Sequence, residues 1–188
     1  ILHMTGEEHR RKMAILARRL RSRKRLSGDI RELVVDLVHE HGRNLLDGPA
    51  ISDVKALFTS LIPLDVIGSL MTMKGATAFP DWYHHIVAAS ISNITGDPAI
   101  HERGVAARDE LFEWLGPRIE NKRAQPSDDL LSDLCTISYE GEALTNAEVR
   151  AFCAFLLSAG IETTDRALVN LCRELSKRPD QWRLLKDE

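Results

Sequence analysis

Residues 145–177 read TNAE, from Thr145 to Glu148, and then VRAFCAFLLSAGIETTDRALVNLCRELSK, and this stretch decides the fold. Thr145 and Glu148 have the spacing of a capping box, in which each side chain accepts a bond from the other residue's backbone N–H. Leu144 and Val149 flank it as a hydrophobic staple. From there the pattern is helical as far as Lys177, where Arg178-Pro179 stops it. At a rise of about 1.5 Å per residue such a helix is about 50 Å long and crosses a whole domain. Its first half, Ala151 to Leu157, is apolar nearly all round, so it is expected to be buried on most sides.

Within this helix, Ala159-Gly160-Ile161-Glu162-Thr163-Thr164 breaks local rules. Gly160 costs about 1 kcal/mol against Ala in a helix interior. Glu162 places an ionisable group in or beside the core, and the two β-branched threonines add a further small penalty. Violations of this kind concentrate at functional or strained sites. Two readings stay open. In one, Gly160 lets another helix cross and the threonine hydroxyls bond their own backbone. In the other, Ala159 and Gly160 let a flat or bulky ligand approach the backbone, and Glu162 with Thr163 handles protons.

Outward from this helix the chain is helix after helix. Asp29 to about Asn44 carries Ile30, Leu33, Val34, Leu37 and Val38 on one face. Ser52 or Asp53 can cap a third helix, with Pro63 as a kink or restart and an apolar face continuing to Gly75. Phe79 to about Ile94 is a fourth, with Pro80 in its first turn. Ala99 to Lys122 forms a long helix whose continuity is challenged by Gly104 and Gly116-Pro117. Asp129 to Cys135 is a short one, and Ile137 to Gly141 can hold a short extended piece. No repeat or low-complexity tract interrupts this order. The fold class is all-α.

The 188 residues suit about one domain with a single core. At 44% hydrophobic and 28% charged the composition excludes wholesale disorder. Aromatics at 5% and few β-branched runs argue against a β-sandwich or barrel. The net charge of -3 is far from that of a general nucleic-acid binder. Three widely spaced cysteines, Cys135, Cys153 and Cys172, suggest neither a disulfide framework nor a zinc site, as in a reducing, cytoplasmic setting. No apolar run approaches the roughly 18 residues of a membrane span. Nine of the 25 basic residues lie between Arg10 and Arg25 with no acid among them. Met13, Leu16, Ala17 and Leu20 form an apolar stripe on this basic helix, with His9 one turn earlier. A solvated face, or a site for phosphate, carboxylate or an acidic partner, each fits that pattern.

The chain resembles a cytochrome P-450, a haem-thiolate monooxygenase of the soluble bacterial type. The central match is Ala159-Gly160-Ile161-Glu162-Thr163-Thr164, which looks like the family's oxygen-binding motif, Ala/Gly-Gly-x-Asp/Glu-Thr-Thr/Ser. It is supported in order by Gly6-Glu7-Glu8-His9-Arg10-Arg11, by Asp129-Leu130-Leu131-Ser132, by Gly141 through Leu144-Thr145-x-x-Glu148, and by Leu175-x-x-Arg178-Pro179-Asp180-Gln181-Trp182.

The resemblance implies an enzyme that inserts one oxygen atom of dioxygen into a small organic substrate. Its cofactor would be haem b (iron protoporphyrin IX), with dioxygen as co-substrate. Electrons would come from a redox partner: a ferredoxin, a flavodoxin or a fused reductase domain. Glu162 and Thr163 would be the catalytic acid–alcohol pair. His9, Leu156, Ala159, Gly160, Thr163 and Thr164 would meet the haem, with His9 bonded to a propionate, which favours a cationic donor. Phe155, Ser158 and Ala159 would face the substrate, and the helix from Trp82 to Ile86 would form part of the roof. The basic face between Arg18 and Arg25 is the candidate docking surface for the redox partner. Met13 stands where the family usually places an Arg four residues after the histidine; Arg11 or Lys12 would substitute only if the helix rotates. None of the three cysteines has the Phe-x-x-Gly-x-x-x-Cys-x-Gly setting of the axial ligand, so no metal ligand is expected in this sequence. Residues 1–188 are therefore expected to be the N-terminal-to-central part of a catalytic domain. The Glu-x-x-Arg helix and the Cys loop would lie outside it, and the chain alone would not be active. The competing reading is an all-helical, small-molecule-sensing transcription regulator whose basic segment touches DNA phosphates. No short helix–turn–helix pair with a glycine turn stands near the start to support it.

Overall fold

In the computed structural model, which describes residues 5–20, 26–73, 76–139 and 141–186, the chain is helical almost throughout. Its elements are α1 (Gly6–Leu20), α2 (Asp29–Leu46), a π-helical turn π1 (Lys55–Thr59), α3 (Leu61–Leu70), α4 (Phe79–Val87), a second π-helical turn π2 (Ala88–Ser92), α5 (Pro98–Ala124), α6 (Leu130–Thr136), α7 (Asn146–Ser176) and α8 (Pro179–Lys186). Between α6 and α7, β1 (Ser138–Tyr139) pairs antiparallel with β2 (Glu142–Ala143), Ser138 opposite Ala143. Gly141 adopts φ +87 in the turn, a conformation that suits glycine.

The core lies between α7 and the helices around it. Val149, Phe152, Cys153, Leu156, Leu157 and Ile161 of α7 are buried. They meet Leu111, Leu115 and Ile119 of α5, Leu130, Leu131 and Leu134 of α6, Ile67 of α3, and Trp82 and Ile86 of α4. Contrary to the apolar period that runs unbroken through 79–94, α4 ends at Val87 and gives way to π2. Gly104 explains how α5 lies so close to this region. A Cβ built there would stand 2.1 Å from the Ala89 Cβ and 3.0 Å from the His85 carbonyl oxygen. Helix α5 continues through Pro117, which is exposed, as is Glu113, the residue whose carbonyl loses its helical donor. Trp82 Nε1 donates to Glu110 at 2.9 Å, and the Arg118 guanidinium stacks on Trp114, tying α4 to α5 and covering its surface.

Both bonds of the Thr145–Glu148 capping box are present at the start of α7. Glu148 also pairs with Lys12 of α1 at 3.0 Å, and the Lys12 side chain is only 7% exposed. The Thr145 backbone N–H and the Lys12 ammonium together pull the Glu148 carboxyl down to about 2 from its ordinary value of 4.5. A folded-state value below the unfolded one gives stability that is fully present above about pH 5 and lost as pH falls from 4.5 toward 2. Thermal midpoints of wild type and Glu148→Gln should therefore differ most near neutral pH and converge only as pH falls toward 2. A gap that stays constant over that range would contradict the linkage.

Candidate active site

The middle of α7 is fixed by bonds to two other helical segments. Glu162 Oε2 accepts from the Tyr83 hydroxyl of α4 at 2.9 Å, and Oε1 pairs with Arg166 Nε, one turn along, at 2.5 Å. The Glu162 side chain is 16% exposed. It is a mostly covered carboxylate with both oxygens occupied, as burial of a charge requires. Burial, followed by the bond to Glu162 and the charge of that carboxylate, pushes the Tyr83 phenol well above its ordinary range. Tyr83 is therefore a fixed donor at neutral pH. Glu162 and Tyr83 share the wall of a cavity of 560 Å³, with Lys55, Ser60, Asp81 and His84 also lining it.

Thr163 donates to the Ala159 carbonyl at 2.6 Å and Thr164 to the Gly160 carbonyl at 2.9 Å. Both hydroxyls bond their own helix, and both residues are exposed. Gly160 is turned to α3: a Cβ there would approach Ile67 Cδ1 to 2.9 Å. This is the helix-crossing role, so room beside Gly160 is taken up by Ile67. Phe155, Ala159 and Thr163 recur at i, i+4 and i+8, which puts them on one stripe. Leu156 is 5% exposed and belongs to the core. Ser158 Oγ donates to the Ala154 carbonyl at 3.3 Å.

On α1, His9 is exposed while Met13 packs against the core. Lys12 does not replace the expected Arg: its ammonium belongs to Glu148, because α1 turns Lys12 inward against the start of α7. The basic face between Arg18 and Arg25 falls in large part outside the described residues. Tyr83 and Asp165 are the residues of this region that the motif did not single out. Tyr83 follows Trp82 on α4 and carries no pattern of its own. Asp165 did carry a signal, since it continues the buried stripe of Leu157 and Ile161 at i+8 and i+4.

Among the described residues no group of three or more His, Cys, Asp or Glu side chains could hold a metal. Burial pushes the Cys153 thiol up to about 12, and that of Cys135 upward too, which keeps both protonated and poor ligands. The residues that the resemblance assigns to the haem lie on α7 instead: Ala159 is small and half-buried, Thr163 and Thr164 are exposed, and Phe155, Ala159 and Thr163 share one stripe, a set compatible with a flat group lying alongside.

No protein-family model matches the chain. Individual proteins do. Cytochrome P450(BM-1) of Priestia megaterium is 29% identical over 173 residues, 91% of this chain and 41% of that protein. The erythromycin C-12 hydroxylase of Saccharopolyspora erythraea is 31% identical over 140 residues, 73% of this chain and 35% of that protein. Among solved structures, substrate-free CYP109E1 from Bacillus megaterium superimposes with a TM-score of 0.83 at 25% identity, over 98% of this chain and 48% of that one. The helical arrangement is that of part of a cytochrome P450. The chain belongs to the cytochrome P450 family. It spans less than half the length of these relatives, and membership implies haem and dioxygen as the family's cofactor and co-substrate.

Proposed function

We propose that the chain supplies the distal, oxygen-activating wall of a monooxygenase that inserts one oxygen atom of dioxygen into a small organic substrate. The observation that carries this reading is the Glu162–Thr163 pair on α7, with the carboxylate held by Tyr83 and facing a cavity, and the hydroxyl on the exposed side next to it. Haem b would supply, when bound, the chemistry of dioxygen reduction. Ala159, Thr163 and Thr164 would lie against it, with Leu156 and Gly160 supporting them from the core side. His9 would donate to a propionate; it is exposed and therefore accessible to one.

Each residue of the chain has a physical task in this scheme. Thr163 Oγ1 can keep its bond to the Ala159 carbonyl and accept a hydrogen bond on a lone pair, or rotate about χ1 and donate outward. Glu162 would pass a proton between the cavity it lines and that hydroxyl, while Tyr83 holds its Oε2 in place. Phe155, Ser158 and Ala159 would meet the substrate, and the helix from Trp82 to Ile86 would cover it. Electrons would come from a ferredoxin, a flavodoxin or a fused reductase domain, and a cytoplasmic location suits such partners. No helix among the described residues is long and apolar enough to cross a membrane.

The full-length protein should give a ferrous carbon-monoxide spectrum with the red-shifted Soret band of a thiolate-ligated haem, because the axial sulfur pushes electron density onto iron. The spectrum should be stoichiometric with protein. A full-length protein that takes up no haem, or that gives only a histidine-type Soret band, would defeat the monooxygenase reading.

A further inference from the structure

We infer that Asp165 is a positioning residue, which through Lys55 and Thr59 fixes the rotation of α7 that presents Glu162 and Thr163. The inference rests on the proposed monooxygenase reading for its functional consequence and on geometry alone for its structural one.

Asp165 is 1% exposed and lies on the buried stripe of Leu157 and Ile161, where an apolar residue would ordinarily stand. Its Oδ2 accepts from Lys55 Nζ at 2.6 Å and its Oδ1 from Thr59 Oγ1 at 2.8 Å. Thr59 is fully buried, whereas the Lys55 side chain is 54% exposed. The ammonium thus keeps its hydration while only the carboxylate is taken from water. Both donors come from π1, and Lys55 Nζ also donates to Ser60 Oγ at 3.0 Å. The wider π-helical turn closes with the Ser60 N–H on the Lys55 carbonyl at 3.0 Å. It brings Lys55 and Thr59 to one carboxylate, with Ser60 on the Lys55 ammonium.

Packing alone does not call for this arrangement. A buried ion pair adds little net stability over an apolar replacement, whereas its directional bonds select one register among those an apolar stripe allows. The register at stake is that of the working turn. Asp165 follows Glu162 by three residues and Thr163 by two, so the same turn is held by π1 at Asp165 and by α4 at Glu162. The Asp165 charge also acts on Tyr83 and Arg166, the two residues that occupy the Glu162 oxygens.

The test is Asp165→Asn in the full-length holoprotein, with Thr59→Val as a second variant. Both keep the side-chain shape and remove one directional bond or the charge. The carbon-monoxide spectrum and substrate-induced spectral shift should persist, while product formed per reductant consumed falls about threefold. Amide hydrogen exchange in a peptide over residues 158–168 should quicken by about tenfold, with no change over residues 105–119 of α5. Asp165→Glu should restore part of the ratio. Exchange and product ratio both at wild-type values in Asp165→Asn would overturn the inference. So would a general rise in exchange across α5 and α7 with an unchanged ratio, which is the signature of a plain stabilising contact. A wild type without a thiolate-type signal removes the monooxygenase reading alone, and the exchange measurement still decides whether Asp165 holds the turn.

Discussion

Gly104→Ala is expected to lower the unfolding free energy of the full-length protein by about 3 kcal/mol, the upper part of the range for overpacking a filled core. The added methyl would stand 2.1 Å from the Ala89 Cβ and 3.0 Å from the His85 carbonyl oxygen. Neither can give way by a rotamer change, because one is itself a Cβ and the other is backbone. Helix α5 must therefore move away from α4 and π2, which disturbs Trp82 and its bond to Glu110. Gly160→Ala is the internal control. Its methyl would meet Ile67 Cδ1 at 2.9 Å, the far end of a flexible side chain that can turn aside. The gain of about 1 kcal/mol in helix propensity offsets that adjustment. Urea midpoints should fall steeply for Gly104→Ala and little for Gly160→Ala. Equal midpoints would show that α5 and π2 are not in close contact at Gly104.

Which parts of this molecule could be read from its residues follows from the range of the interactions. Helix α7 was expected over 145–177 and is found over Asn146–Ser176 with Thr145 as its cap, because the capping box is local chemistry written within four residues. The order of helices, the short extended piece and the family were legible for similar reasons, being carried by periodicity, turn residues and motifs in sequence. The π-helical turns were not, since one extra residue in a turn leaves an apolar pattern nearly unchanged. Helix α5 passes the Gly116-Pro117 signal intact, because the position is exposed and the helix on either side is held by Leu111, Leu115 and Ile119. The bond from Tyr83 to Glu162 joins residues 79 apart and exists only once α4 lies over α7. The rotation of α1 was also hidden, because it depends on Lys12 meeting Glu148 across the fold. Gly160 had two open readings, and Ile67 supplies the geometry of one of them.

Thr163→Ala and Glu162→Gln should separate the two halves of the proton-handling pair in the full-length protein. In Thr163→Ala the Cβ stays, an exposed residue loses one bond to the Ala159 carbonyl, and the fold should hardly respond. Substrate-binding spectra should remain as in wild type, because in the proposed role the hydroxyl would act after dioxygen has entered rather than on the substrate. Reductant consumption should continue, with product per reductant down about tenfold, equivalent to about 1.4 kcal/mol, and hydrogen peroxide making up the difference. Glu162→Gln keeps the length of the side chain and a carbonyl oxygen that can still accept from Tyr83. What it loses is the ionisable group that, in the proposed role, would take up and release a proton at the cavity wall, so turnover should slow on the order of a hundredfold. The two signatures differ in kind: one variant wastes electrons and the other withholds turnover. If Thr163→Ala keeps the wild-type product ratio, its hydroxyl serves only the Ala159 carbonyl. The threonines and Gly160 are then all accounted for by helix packing, and the proton route must leave Glu162 by another neighbour.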